Sequence, residues 1–186
     1  MRIGVIAEAT SDVEILYQLT CKLIDENTFS FKKFVGRGCG KLRTKCTAWA
    51  TNLITKGCSY LVVIHDLDDN DESDLRRELT GAVAGIPYKA HLILIPVREI
   101  EAWLLTDANA LQKVFGFAKS PKLPGQPENI PDPKAKLAEV VWKSGRKHYV
   151  NTIHNKKIAS AMSISKAKTC ASFRPYPVFV SKHLKN

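Results

Sequence analysis

The stretch Tyr60-Leu61-Val62-Val63-Ile64-His65-Asp66-Leu67-Asp68-Asp69-Asn70-Asp71-Glu72 decides the fold. Its apolar run from Leu61 to Ile64 is uninterrupted and β-branched, the pattern of a strand buried on both faces of a parallel sheet. The run then breaks into Asp66, Asp68 and further acids. In open α/β sheets, ligands sit in the crevice outside the carboxyl ends of the strands. Residues i and i+2 of an extended segment point the same way, so Asp66 and Asp68 are expected to converge. Two carboxylates about 4 Å apart repel by about 4 kcal/mol at an effective dielectric of about 20. A hard divalent cation such as Mg2+ relieves that repulsion through carboxylate oxygen. Asp66-x-Asp68 is therefore read as half of a metal site.

Working outward, residues 2–7 read as a first buried strand that ends at Glu8. Thr10 and Ser11 open a helix expected over 12–25, and Ser11-x-x-Glu14 has the form of a capping box. Phe29 to Val35 alternates as a half-exposed or edge strand does. Gly36-Arg37-Gly38-Cys39-Gly40-Lys41 leads into a helix over about 41–56. As a phosphate loop this turn is one residue short, and Leu42 stands where Ser or Thr belongs. After the central strand come a helix over 72–84 and a third strongly buried strand, His91 to Pro96. The order β-α-β-α-β-α-β predicts an α/β fold, about four parallel strands flanked by helices with right-handed crossovers.

Past Pro96, the segments Glu99 to Leu105, Asp107 to Phe115, Lys134 to Trp142 and Lys156 to Ile164 read as helices, and a short last one follows Pro177. Residues 119–133 carry Pro121, Pro124, Pro127, Pro131 and Pro133, too many for regular structure. The expected division is a core over 1–105 and a basic, helical extension over 106–186 packed on the same domain.

The chain has 186 residues, 45% hydrophobic and 25% charged, which suits one soluble globular domain. Its formal charge of +10 points to a polyanionic partner, nucleic acid ahead of anionic membrane. No apolar run approaches the roughly 18 residues of a membrane span, and the N-terminal strand lacks a signal-peptide cleavage site. Cys21, Cys39, Cys46, Cys58 and Cys170 are scattered with no C-x-x-C pair, as expected of reduced thiols in a cytoplasmic protein.

Acids fall at the carboxyl ends of three expected parallel strands: Glu8, the Asp66/Asp68 pair, and Glu99 with Glu101. Glu8-Ala9-Thr10-Ser11-Asp12, Asp66-x-Asp68 and Arg98-Glu99-Ile100-Glu101-Ala102-Trp103-Leu104-Leu105 together resemble the Toprim domain. The likeness is closest to the OLD-type nucleases and to small stand-alone Toprim-like bacterial proteins often encoded beside an ATPase and linked to phage defence. It covers about residues 1–105, and more loosely Pro133-Lys134-x-x-Leu137.

The resemblance implies a Rossmann-like parallel sheet and one or two Mg2+ or Mn2+ ions for phosphodiester hydrolysis of DNA or RNA. It assigns Glu8 as lead acid, metal ligand or general acid/base, and Asp66 and Asp68 as ligands. Asp12, Glu99 and Glu101 take the positions of further ligands, although an acid in a first helical turn, as at Asp12, is stabilised by the helix dipole without any metal. OLD-type nucleases also use a lysine against developing charge, and Lys156 or Lys157 is the expected one. Arg37, Lys41, Arg43, Arg98, Arg146 and Lys147 are the expected nucleic-acid contacts. The expected partners are nucleic acid, a separately encoded ATPase and a second copy in a homodimer, with no membrane. In one respect the chain departs from the pattern: Toprim sequences place Gly after the lead Glu, and here Ala9 follows. Ala does not reach φ > 0 cheaply, which predicts an altered turn and favours the alternative of a non-catalytic nucleic-acid-binding or regulatory partner. A third expectation is a Mg2+ phosphotransfer enzyme such as a phosphatase.

Overall fold

The computed structural model describes residues 1–36 and 39–185. Four strands, β1 (Arg2–Ala7), β2 (Ser30–Val35), β3 (Tyr60–Ile64) and β4 (Ala90–Leu94), form one sheet in the order β2-β1-β3-β4. Every pairing is parallel, with Val5 beside Lys33 and Val62, and Val63 beside Ile93. The helices α1 (Thr10–Cys21), α2 (Cys39–Thr55) and α3 (Glu72–Val83) connect successive strands. The chain is thus an α/β protein with a four-stranded parallel sheet flanked by helices.

Side-chain alternation along the strands explains the two layers. Ile3, Val5, Ala7, Val62 and Ile64 enter one core, while Ile6, Leu61 and Val63 enter the other. The second core is closed by α2 and α3 through Leu42, Cys46, Leu53, Leu75 and Leu79. Gly4 allows α2 to approach, since a Cβ there would stand 3.0 Å from Leu53. The first core is closed by α1 and by the helices after β4: α4 (Glu101–Leu104), α5 (Ala108–Phe115), α6 (Pro133–Gly145), α7 (Asn151–Ala161), α8 (Ile164–Ala167) and α9 (Pro175–His183). Trp103, Phe173 and Tyr176 are its largest fully buried side chains. Among the described residues no helix is long and apolar enough to cross a membrane. Cys21, Cys46, Cys58 and Cys170 are free thiols.

Several expectations are corrected. The first helix ends at Cys21 instead of residue 25, where the Thr20 carbonyl accepts from the Leu23 and Ile24 N–H groups and the chain turns into a short 3-10 segment. Its box is not Ser11–Glu14: Ala9 precedes the first turn, and its N–H donates to Asp12 Oδ2 at 2.8 Å. The β4 segment lies at the sheet edge with His91 exposed and Leu92 partly exposed, so burial is deep from Ile93 to Pro96. The helix read as 156–164 begins at Asn151, a turn earlier, because the polar run Asn151 to Lys157 hides its few inward positions.

Residues 106–185 supply much of the core on one sheet face. A fragment of residues 1–105 would expose that apolar face to water. It is expected to lack a cooperative urea transition and to bind a hydrophobic dye; cooperative unfolding of the fragment would show that the extension is dispensable to the core.

Candidate functional site

All four strands of a parallel sheet end on the same edge, and there the chain carries its acids. β1 runs directly into Glu8. Past Ile64, the His65 N–H donates to the Leu94 carbonyl and the Leu67 N–H to the Pro96 carbonyl. That ladder carries His65-Asp66-Leu67 out over the edge, beside the segment leading to Glu99 and Glu101. The result is a cleft of about 470 Å3 lined by Glu8, Asp12, Asp66, Asp68, Glu99 and Glu101, with Lys134 from α6. Among the described residues, six acids and one lysine line this cleft, in a chain of net charge +10. The parallel topology concentrates acids that lie far apart in the sequence.

Hydrogen bonding divides the acids into two sets. Glu8 Oε1 accepts from the Asp66 N–H at 2.9 Å and faces His65 Nδ1 at 2.9 Å. Asp66 Oδ1 accepts from the Ile100 N–H at 3.1 Å. Glu101, only 3% exposed, accepts from Asn155 Nδ2 at 3.0 Å, again through Oε1. In each of these three, one oxygen is held and, among the described residues, the other accepts no hydrogen bond. Asp68 is exposed, and its carboxylate likewise accepts none.

Asp12 and Glu99 use both oxygens. Asp12 accepts from the Ala9 N–H and the Ser11 hydroxyl. Glu99 accepts from the backbone N–H of Lys134 at 2.9 Å and faces its ammonium at 3.4 Å, so it satisfies an orphan donor in the first turn of α6. Glu8, Asp66, Asp68 and Glu101 are therefore the acids with an oxygen that accepts no hydrogen bond among the described residues. Asp12 and Glu99 line the same cleft and also brace helix starts.

The charges disturb one another. Burial pushes the Asp12 carboxyl up to about 7, with the Glu101 and Glu8 charges adding to it and the Ala9 N–H opposing. Burial also raises the Asp66 carboxyl well above the usual range, helped by Asp12, Glu8, Glu101 and Asp68. Asp68 rises too, through partial burial and Glu8. Burial alone would lower the Lys134 ammonium, but Glu101 and Glu99 outweigh it and hold it charged. Burial and Glu101 raise the Tyr149 phenol far up, so its hydroxyl stays protonated, hydrogen-bonded to Asn155 and 3.3 Å from Glu101.

Among the described residues no group of three His, Cys, Asp or Glu side chains is arranged as a ready-made metal cluster. The donor chemistry nevertheless fits a hard divalent cation. The groups are carboxylates held by one oxygen, with the other available, and their mutual repulsion falls when positive charge enters.

Backbone strain sits at the rim. Asp68 has φ 48° and Arg98 φ 63°. A non-glycine residue in the left-handed region costs roughly 1–2 kcal/mol, and Asp tolerates it better than Arg. The two loops brace each other: the Asp68 N–H approaches the Arg98 carbonyl, and Arg98 Nη1 donates to the Asp68 carbonyl at 3.1 Å and pairs with Asp69. Asp68 thus reaches the cleft through a left-handed turn, where continued strand alternation was expected. Ala9, by contrast, has φ −128° and ψ 158°, ordinary extended backbone. The turn after Glu8 therefore needs no glycine in this chain, and Ala9 takes the extended backbone expected of a residue that avoids φ > 0.

The expected cationic residues are placed elsewhere. Lys156 and Lys157 are exposed on α7 and line clefts other than the acidic one, while the neighbouring Asn155 is the position of that turn that packs inward. Arg43 is paired with Glu78 across α2 and α3. Arg146 lies over the Trp142 ring at 5.4 Å. Lys41 and Lys147 are exposed. None of these lines the acid cleft, and Arg37 lies outside the described residues.

Lys134, Asn155 and the Glu8 contact of His65 were not assigned from sequence. Asn155 leaves one sequence trace, an amide one turn before Ile158 and Ala159 on the buried stripe. Fully buried His65 has acceptors at Nδ1, Glu8 and the Asp66 carbonyl at 2.6 Å, which require the proton there. Its Nε2 is buried and has no hydrogen-bond partner among the described residues.

The chain belongs to the family described as domain of unknown function (DUF4276), whose profile matches residues 19–176. The match takes in Asp66, Asp68, Glu99, Glu101 and Lys134, and begins beyond Glu8 and Asp12. No curated protein and no solved structure matches the chain.

Two outcomes follow. An acid whose folded pKa exceeds its unfolded value binds more protons in the folded chain, so stability falls as pH rises between the two values. For Asp12 that window runs from 3.8 to about 7, and Asp66 acts in the same direction. In EDTA the protein should lose stability from pH 5 to pH 8. Asp12→Asn, which still accepts the Ala9 N–H, should recover up to about 4 kcal/mol at pH 8, taking about 1.4 kcal/mol per pH unit; a flat or rising profile in chemical denaturation would contradict the burial of these charges. His65→Leu removes the orphaned nitrogen together with the donor to Glu8. It should fold at least as stably yet bind Mn2+ roughly 10–100-fold more weakly by calorimetry, with His65→Asn, which retains a donor, falling between.

Proposed function

We propose that this protein is a Mg2+- or Mn2+-dependent phosphodiesterase acting on nucleic acid, a nuclease of the Toprim and OLD type. The observation that carries the reading is the convergence of Glu8, Asp66, Asp68 and Glu101, each with an oxygen to offer, on the carboxyl edge of a parallel sheet in a strongly basic chain. Glu8, Asp66, Asp68 and Glu101 would hold one or two ions. A bound divalent ion supplies Lewis acidity that activates water and neutralises the leaving oxygen.

The chain's own groups do the rest. His65 and the Asp66 N–H fix Glu8 through Oε1, on the wall of the cleft. Asn155 holds the buried Glu101 carboxylate in the same way. Lys134 is the cation inside the cleft, and it takes the role first expected of Lys156 or Lys157, facing the charge that develops on a phosphate. Exposed lysines along α7 and after α6 attract the phosphate backbone. A separately encoded ATPase as regulator and a homodimeric assembly remain part of this proposal, on the strength of the family resemblance.

One observation favours a second reading, a non-catalytic nucleic-acid-binding partner on the same fold: no ready-made metal cluster stands among the described residues. Incubation with single- and double-stranded DNA and RNA in Mg2+, Mn2+ or EDTA separates the two. Metal-dependent cleavage that Asp66→Ala lowers at least about 100-fold is expected. Binding without cleavage under every metal condition would favour the second reading.

A further inference from the structure

The groove next to the acid cleft is built from the same three elements, each continued by a short step. Val13 of α1 follows Asp12. Lys33 of β2 lies two residues before Val35, which lines the cleft. Lys156 of α7 lies one helical turn, about 6 Å, beyond Thr152, which lines it too. The groove has a volume of about 520 Å3, within the size of small-ligand sites.

Its floor is aromatic. The rings of Tyr17, Phe29 and Phe31 stand 5.4–5.7 Å apart in tilted and edge-on contacts, and Tyr17 and Phe31 remain half-exposed. Lys33 of β2 and Lys156 of α7 both line the groove, and neither forms an ion pair among the described residues. Glu14 is an acid on the α1 wall. An aromatic floor between two lysines matches one nucleotide, a flat base below and phosphate charge at the lips.

We infer that this groove holds an unpaired nucleotide adjoining the phosphate in the acid cleft, so that the substrate is a single strand or an unpaired end. The inference rests on the phosphodiesterase reading above. Bases in a duplex are stacked on one another and turned inward, so they cannot lie on Tyr17 and Phe31 without unpairing. A second copy pairing along the open edge of β2 is disfavoured, because Lys32 and Lys33 charge that edge and the copies repel. Lys156 thereby gains a role at the nucleotide beside the scissile phosphate.

The test is anisotropy of a labelled 12-nucleotide single strand against the matched duplex, with the full chain in EDTA so that no metal chemistry enters. The single strand should bind at least about tenfold tighter. Tyr17→Ala should weaken it by about tenfold or more while Tyr17→Phe does not. Because Tyr17 packs on Phe29, the surface variant Lys33→Glu/Lys156→Glu provides a second reading; it should weaken binding and lower the salt slope by roughly 1.4. Equal or tighter duplex binding, an unchanged surface variant, or a concentration-dependent dimer that the surface variant abolishes would overturn the inference. Mn2+ calorimetry on wild type and Asp66→Asn reports separately on the phosphodiesterase reading, so either can fail while the other stands.

Discussion

Repulsion among carboxylates is the constraint on which this molecule's site depends. Burial and mutual charge lift Asp12 to about 7 and Asp66 well beyond the usual carboxylate range. A fold that served only stability would replace such groups with amides or apolar side chains. The surrounding structure instead spends donors on holding them: the Asp66 and Ile100 N–H groups, His65 Nδ1 and Asn155 Nδ2 each grip a single carboxylate oxygen. Holding one oxygen and leaving the other is what a preorganised ligand set requires.

Two further costs are concentrated at the same edge. His65 keeps a buried nitrogen unpaired, and Asp68 and Arg98 adopt left-handed backbone without glycine. Each costs of order 1–3 kcal/mol, against a total stability for such domains of about 5–15 kcal/mol. Costs of that size persist where surrounding contacts over-determine the geometry. The two cores on either face of the sheet provide that rigidity, with the first core drawing on helices from both ends of the chain.

The acidic edge and the basic remainder act together. Lys134 enters the cleft from α6, while Lys33 and Lys156 flank the aromatic groove beside it. The charge of +10 is therefore not spread evenly around the site. The acids are gathered in one cleft and these lysines in the groove beside it, so the two signs of charge meet along one border.

Much of this was legible in the chain itself. The apolar runs at Arg2–Ala7 and Tyr60–Ile64 set a parallel sheet, because only strands buried on both faces carry no polar alternation, and parallel order puts every strand end on one edge. Glu8, Asp66 and Asp68 followed from that edge. What tertiary structure alone decided is how each carboxylate is held. Whether Asp12 and Glu99 offer oxygens or cap helices, whether Ala9 needs a positive φ, and whether Lys134 or Lys156 reaches the cleft depend on contacts between residues up to about a hundred positions apart. Local periodicity carries no information about such contacts, since neighbouring positions such as Asn155 and Lys156 differ only in which face of α7 the tertiary packing turns inward.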